Sequence, residues 1–270
     1  EVRLGTGGGG NAPITTARKG YAGTADNKIQ ALADINLEEV PRITTGTQEF
    51  DRVLGGGLVS GSVVLIGGHP GAGKSTLLLQ VLCHLSEAHT TLYVTGEESL
   101  QQVAMRAQRL GLQSQNLNML SETNVEQLCV TADTIRPKIM VIDSIQVMHM
   151  SDVQSAPGGV TQVRESAAFL TRFAKQSGTI LILVGHVTKD GSLAGPKVLE
   201  HMIDCSILIE GDNDSRYRTL RGNKNRFGAV NELGVFAMTE QGLKEVSNPS
   251  AIFLQRAEEV SSGSVVMVIW

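Results

Sequence analysis

Apolar residues along this chain fall into two alternating patterns. Short, nearly continuous apolar runs occur at Ser62–Gly67 (SVVLIG), Thr91–Thr95, Lys138–Ile142 (KIMVI), Thr179–Gly185 (TILILVG) and Ile203–Ile209. Runs of this kind predict strands buried on both sides, as in a parallel sheet. Between them lie longer amphipathic stretches, Ser75–Leu85, Leu100–Leu110, Val125–Ile135 and Val160–Ser177, each predicted as a helix. In the last, Val160, Val163, Ala167, Leu170, Phe173 and Ala174 recur at helical spacing and define one apolar face. The alternation predicts an α/β fold, a doubly wound, mostly parallel central sheet flanked by helices with right-handed crossovers. Past Ile209 the pattern changes to Arg216–Arg221 and Gly234–Met238, read as further strands joined by polar turns, and no internal repeat is evident.

The two ends read differently from this body. Residues 1–33 are rich in Gly, Thr, Ala and Asn, include the run Gly7–Gly10 and lack apolar periodicity, so they are expected to be a flexible linker. Residues 34–255 form the expected core, and 256–270 the start of a C-terminal connector ending in the apolar run Ser264–Trp270.

Composition narrows the possibilities. At 270 residues the chain has room for one large domain or two small ones, with a substantial core. A net charge of −4 means that the surface as a whole does not attract nucleic acid, so any such contact must come from a local basic patch. Cys83, Cys129 and Cys205 lie far apart with no C-x-x-C spacing, which argues against a disulfide framework or zinc site and predicts reduced, buried thiols. No apolar run approaches the roughly 18 residues needed to span a bilayer, and the expected setting is cytoplasmic, with no membrane partner.

The chemistry begins at Gly68-His69-Pro70-Gly71-Ala72-Gly73-Lys74-Ser75, which matches G-x-x-x-x-G-K-[ST] between an apolar strand and a helix. Glycines at this spacing let backbone N–H groups turn inward around a phosphate, and the helix N-terminus adds its dipole. Lys74 is expected at the β- and γ-phosphates, the Ser75 hydroxyl in a magnesium shell, and Gly68 through Thr76 as the ATP/ADP-binding segment. Asp143 follows the apolar run Lys138–Ile142 directly, where a carboxylate at the end of a buried parallel strand supports the metal. Hydrolysis also needs a group to orient or deprotonate water. Glu97 and Glu98 end the strand Thr91–Thr95; Glu97 is the expected base, with Glu98 nearer the helix start as a first-turn charge. Beyond the most apolar strand, His186 or Thr188 is placed to sense the γ-phosphate, while a purely structural histidine remains an alternative.

A basic segment follows. Arg216, Arg218, Arg221, Lys224 and Arg226 fall within eleven residues, with Arg216 and Arg218 alternating as on one strand face. Lys224-Asn-Arg-Phe-Gly228 joins two cations to an aromatic and a turn glycine, a pattern suited to a neighbouring subunit's phosphate or to a DNA backbone.

Together with Thr45–Gly57 (TGTQEFDRVLGGG), Tyr93–Ser99 (YVTGEES), Val141–Gln146 (VIDSIQ) and Gly185–Gly191 (GHVTKDG), these blocks resemble the bacterial RadA/Sms recombination and repair proteins, members of the RecA-like P-loop ATPases. The resemblance covers roughly residues 35–255. It implies a hexameric ring with ATP sites between subunits, single-stranded DNA in the channel, and ATP-driven branch migration alongside recombination proteins such as the RecA recombinase. Residue by residue, it implies phosphate and magnesium at Lys74 and Ser75, metal support at Asp143, water activation at Glu97, and action in trans by Lys224 and Arg226. It places Ser151–Val160 and Lys189–Gly195 at the DNA-facing loops, with Lys189, Lys224 and Arg226 as DNA-binding cations. The family's four-cysteine zinc module and Lon-like domain are absent from this sequence, so a trimmed ATPase core is expected. Two other readings stay open: a RecA-like ATP-binding switch that assembles and binds protein partners without moving on DNA, and a small-molecule kinase, for which no acceptor pocket or lid-like arginine pattern is visible.

Overall fold

The computed structural model describes residues 31–34, 41–113, 115–187, 197–211 and 215–246. In chain order these form β1 (Arg42–Ile43), α1 (Gln48–Leu54), β2 (Leu58–Val59), β3 (Val63–Gly68), α2 (Lys74–Leu85), β4 (Thr91–Thr95), α3 (Leu100–Arg109) and β5 (Asn118–Ser121). They continue with α4 (Val125–Ile135), β6 (Ile139–Asp143), α5 (Val160–Ser177), β7 (Ile180–His186), α6 (Lys197–Glu200), β8 (Cys205–Glu210), β9 (Tyr217–Asn225), β10 (Leu233–Thr239) and β11 (Gly242–Glu245).

Nine strands make one sheet in the order β11-β10-β9-β8-β3-β7-β6-β4-β5, and β1 pairs with β2 separately. From β8 to β5 every pairing is parallel, whereas β8–β9, β9–β10 and β10–β11 are antiparallel. The expected doubly wound, mostly parallel α/β sheet is therefore present.

The apolar runs explain how the layers form. Successive strand side chains point to opposite faces. Val64 and Ile66 of β3 join a core with α1 and α2, through Phe50, Val53, Leu77, Leu78, Val81 and Leu82. Val63 and Leu65 join the opposite core, with Leu128 and Ala132 of α4 and Val163, Ala167, Leu170 and Ala174 of α5. Each fully buried aliphatic contributes about 1.5–3 kcal/mol, so the central strands form a firm base for charged groups at their ends. A smaller cluster, Leu79, Cys83, Val103, Ala107 and Leu110, packs α3 against α2. All three cysteines are free and buried, and burial lifts their thiols, Cys83 to about 11 and Cys129 and Cys205 to about 12. No helix among the described residues is long and apolar enough to cross a membrane.

Several expectations need correction. Val160 does not join the buried face of α5; as the first residue of that helix it is 59% exposed. Arg216 and Arg218 do not form one strand face, because Arg216 precedes β9 and is exposed. Arg218 is buried and its guanidinium donates to the carbonyls of Ser215 and Tyr217. The strand begun near Arg216 runs on to Asn225, so Lys224 lies on β9, held by backbone pairing to β8, even though Gly222 and Asn223 interrupt the apolar pattern. Residues 1–30, Thr188 and Lys189–Gly195 lie outside the described residues, as do 247–270.

Candidate nucleotide site

The parallel strands β3, β4, β6 and β7 end on one edge, and their last residues bring the expected groups together. The loop from β3 into α2 closes with Gly73 at φ +102°, a left-handed conformation; a β-carbon there would also come within 3.0 Å of Met238 Cε. Glycine lets the loop curl tightly enough to hand the chain to α2 at Lys74. The Lys74 ammonium is buried and donates to the carbonyls of Gly68 at 2.6 Å and His69 at 2.8 Å. Burial pulls its pKa down, opposed by the carboxylates of Asp143 and Glu97.

Pro70, Gly71, Gly73, Lys74, Ser75 and Thr76 line one side of a pocket of about 320 Å³, faced by Thr95, Glu97, Glu98, Arg106, Asp143, His186 and Met238. Of the expected phosphate-loop residues, Gly68, His69 and Ala72 do not line it. Gly68 and His69 instead hold Lys74 through their carbonyls, and Ala72 is packed into the core.

Asp143, at the end of β6, is buried and accepts a hydrogen bond from the Tyr93 hydroxyl, which also interacts with the Ser75 hydroxyl. Burial, reinforced by the Asp143 charge and hydrogen bond, pushes the Tyr93 phenol well above its ordinary range, so it remains a donor. Tyr93 thus links the hydroxyl and the carboxylate expected to support magnesium. These are hard oxygen donors, the type magnesium prefers. No group of three or more His, Cys, Asp or Glu side chains among the described residues is arranged to hold a metal alone. A magnesium ion here would complete its shell with phosphate and water oxygens.

Glu97 and Glu98 divide as adjacent side chains must. Glu97 Oε1 accepts from Ser144 Oγ and shares a hydrogen bond of 2.9 Å with His186 Nε2. The His186 bond, aided by Ser144 and the positive charges nearby, outweighs burial and holds the Glu97 carboxyl below its usual range. Glu98 is not a first-turn helix charge. It precedes the Ser99 cap of α3 and forms an ion pair with Arg106. Ser144 follows Asp143 through a cis peptide bond.

Lys224 and Arg226 are elsewhere. Ser206 pairs with Lys224 and Cys205 with Asn225, which puts both cations beside the start of β8, at the edge opposite the phosphate loop. Lys224 donates to the Glu200 carbonyl at the end of α6. Arg226 reaches the His201 carbonyl and Asp204 Oδ1, both at 3.1 Å. Asp204 is buried and also accepts from Lys175 at 2.6 Å and the Val63 amide at 2.8 Å. The turn after Arg226 docks on the C-terminus of α1: a β-carbon on Gly228 would meet Gly55 Cα at 3.0 Å, and the Phe227 carbonyl accepts from Arg42.

Sequence reading missed Tyr93, Ser144, Arg106 and Asp204. Ser144 is adjacent to Asp143 and Tyr93 begins a matched block, so both carried a local signal. Arg106 and Asp204 carried none, because their partners are distant or lie on the far side of a turn.

The fold and pocket define a RecA-like P-loop ATPase core. A family profile described as an AAA domain matches residues 34–192. The chain is 73% identical to the DNA repair protein RadA of Salmonella typhimurium over 275 aligned positions, 100% of this chain and 58% of that protein. The Escherichia coli protein of the same name is 73% identical over 252 positions, covering 93% and 55%. That of Bacillus subtilis is 50% identical over 240 positions, covering 88% and 52%. The chain spans a little over half the length of these relatives. A KaiC-like protein of Pyrococcus horikoshii shares the fold in its crystal structure, with a TM-score of 0.64 at 21% identity over 77% of this chain and 99% of that one. The chain belongs to the AAA domain family, and it is similar along nearly all of its length to bacterial DNA repair proteins named RadA.

Proposed function

We propose that this chain is the ATP-hydrolysing core of a ring motor that acts on single-stranded DNA in homologous recombination and repair, extending branches by migration. The observation that carries the reading is the separation of its cations. The pocket sets three carboxylates, Glu97, Glu98 and Asp143, against Lys74 and Arg106, an arrangement short of positive charge for a triphosphate. Lys224 and Arg226 sit at the opposite edge, where they can supply that charge to the next subunit's nucleotide, as a trans arginine does in related phosphoryl-transfer sites. A hexameric ring closes such a head-to-tail contact. The names of the relatives support DNA repair as the setting; recombination proteins such as the RecA recombinase are the proposed partners and the cytoplasm the proposed compartment.

In this mechanism Lys74 leaves its loop carbonyls to hold β- and γ-phosphate oxygens. Ser75 and Asp143, linked by Tyr93, would hold magnesium, which neutralises charge developing between those phosphates. Glu97, fixed by Ser144 and His186, orients the attacking water and receives its proton. Lys224 and Arg226 of the adjacent subunit stabilise the charge on the transferred group.

Hydrolysis measured with and without single-stranded DNA, on the parent and on Lys74→Ala and Arg226→Ala, tests the reading. DNA should stimulate the parent, and both variants should lose activity. An unstimulated but active parent would instead favour the ATP-binding switch. Normal turnover by Arg226→Ala in assembled rings would remove the trans role.

A further inference from the structure

The nucleotide pocket contains a second cation besides Lys74. Arg106 lies in the second half of α3, and its side chain is only 17% exposed. One terminal nitrogen, Nη2, is taken by Glu98. The other, Nη1, is buried with no hydrogen-bond partner among the described residues, while the side chain lines the pocket with Lys74, Ser75 and Thr76. Its charge is felt at the Tyr93 hydroxyl, next to Asp143 and Ser75.

A strut between α3 and its preceding loop is the plainest role for such a pair, but that junction is already secured. Ser99 and Gln102 form a reciprocal capping box at the start of α3. Thr95 Oγ1 both donates to the Glu98 carbonyl and accepts from the Glu98 amide. A buried guanidinium with a free N–H pair is destabilising unless something accepts from it. An anion entering the pocket supplies that acceptor, and arginine's fork matches phosphate oxygens well.

Helix α3 also continues past the phosphate pocket. Arg109, one turn further along α3, lines an adjoining cavity of about 480 Å³ with Thr76, Leu110, Met238, Thr239, Glu240 and Gly242. That cavity shares Thr76 and Met238 with the phosphate pocket and does not include Lys74, Glu97 or His186, the groups at the reacting end. Arg106 lines the phosphate pocket one turn before Arg109 reaches this adjoining cavity, which has room for the rest of a nucleotide.

We propose that Arg106 is a nucleotide-binding residue whose guanidinium turns from Glu98 to donate to phosphate oxygens present in both ADP and ATP, with Glu98 restraining it until the nucleotide arrives. The proposal rests on the phosphate-loop reading. On it, Glu98 and Arg106 act in opposition: Arg106 contributes to affinity, and Glu98 competes with the ligand for the same guanidinium.

Isothermal titration calorimetry with magnesium ADP and with a non-hydrolysable ATP analogue tests this on the parent, Arg106→Gln, Arg106→Lys, Glu98→Gln and Lys74→Ala. Loss of a charge-assisted bond should weaken Arg106→Gln about 10-fold or more for both nucleotides, with Arg106→Lys between it and the parent. Glu98→Gln should bind at least as tightly as the parent. Parent-like binding by Arg106→Gln would overturn the proposal. So would equal weakening in Arg106→Gln and Glu98→Gln, the signature of a structural strut; if Arg106→Gln does not fold, weakening in Glu98→Gln alone decides against it. A parent that does not bind ADP, or Lys74→Ala binding as tightly as the parent, would overturn the underlying phosphate-loop reading instead.

Discussion

At the C-terminal edge of the parallel strands, Lys74, Asp143 and Glu97 are each held by partners inside a pocket. At the opposite edge, Lys224 and Arg226 extend across the surface to carbonyls at the end of α6 and the turn after it, and Arg226 is 44% exposed. One arrangement fixes charges so that little reorganisation is needed when a phosphate arrives, which is the main source of electrostatic catalysis. The other keeps charges accessible and anchors them lightly, with Asp204 tying Arg226 to the body of the domain. On the proposed function, the first is the site and the second is presented to the site of a neighbouring subunit.

The largest expected effect tests the fixed edge. Lys74→Ala should lower ATP hydrolysis by at least about 10³-fold, measured as phosphate release at saturating magnesium ATP. Retained turnover would show that the pocket is not where hydrolysis occurs. Next comes the presented edge, where Arg226→Ala should reduce turnover in the assembled state by on the order of 10³, the low end of what a trans arginine supplies. Mixing sharpens this. Lys74→Ala has intact trans cations and Arg226→Ala an intact phosphate loop, so mixed assemblies should regain activity at interfaces that pair the two intact halves. Absence of recovery in mixed assemblies shown to form would break the contrast between the edges.

A smaller effect tests the anchor between them. Asp204 is buried and accepts from Lys175, Arg226 and the Val63 amide. Asp204→Asn keeps the shape but leaves Lys175 without its counter-charge, which should cost about 2–3 kcal/mol in urea unfolding. Magnesium ADP affinity should hold, because Asp204 lies at the far edge, while turnover in assembled rings should fall as Arg226 loses its tether. Loss of ADP affinity by a folded Asp204→Asn would show that the two edges are coupled within one subunit.

What was legible in advance follows the range of the interactions. The phosphate loop, Asp143 and the five central strands could be read because each is a local pattern in which an apolar run directs its next residues to the sheet edge. Helix α1 and the edge strands β5 and β11 were not, being short and half polar, with stability that comes from what they pack against. Two adjacent acids, Glu97 and Glu98, could not be separated securely by spacing, and the partners that separate them, His186 and Arg106, lie 89 and 8 residues away. The basic segment looked uniform because sequence does not reveal that Arg218 turns inward while Arg226 folds back onto Asp204.

The smallest expected effect concerns how the fixed edge keeps Glu97, the proposed base, ionised. The His186 hydrogen bond is the largest cause of the lowered Glu97 pKa, ahead of opposing burial and the Ser144 bond. A lowered pKa means that the carboxylate stays charged to more acidic pH than a free glutamate, so activity requiring ionised Glu97 is lost only as pH falls through that lowered value. His186→Ala removes the main cause and leaves the opposing burial in place. The acid limb of the turnover–pH profile should therefore move to higher pH, while the rate near neutrality, where Glu97 remains ionised, changes less. A profile that drops uniformly at all pH values would assign His186 to the phosphate or to water instead. An unchanged profile would show that Ser144 alone is sufficient to hold Glu97 in its working state.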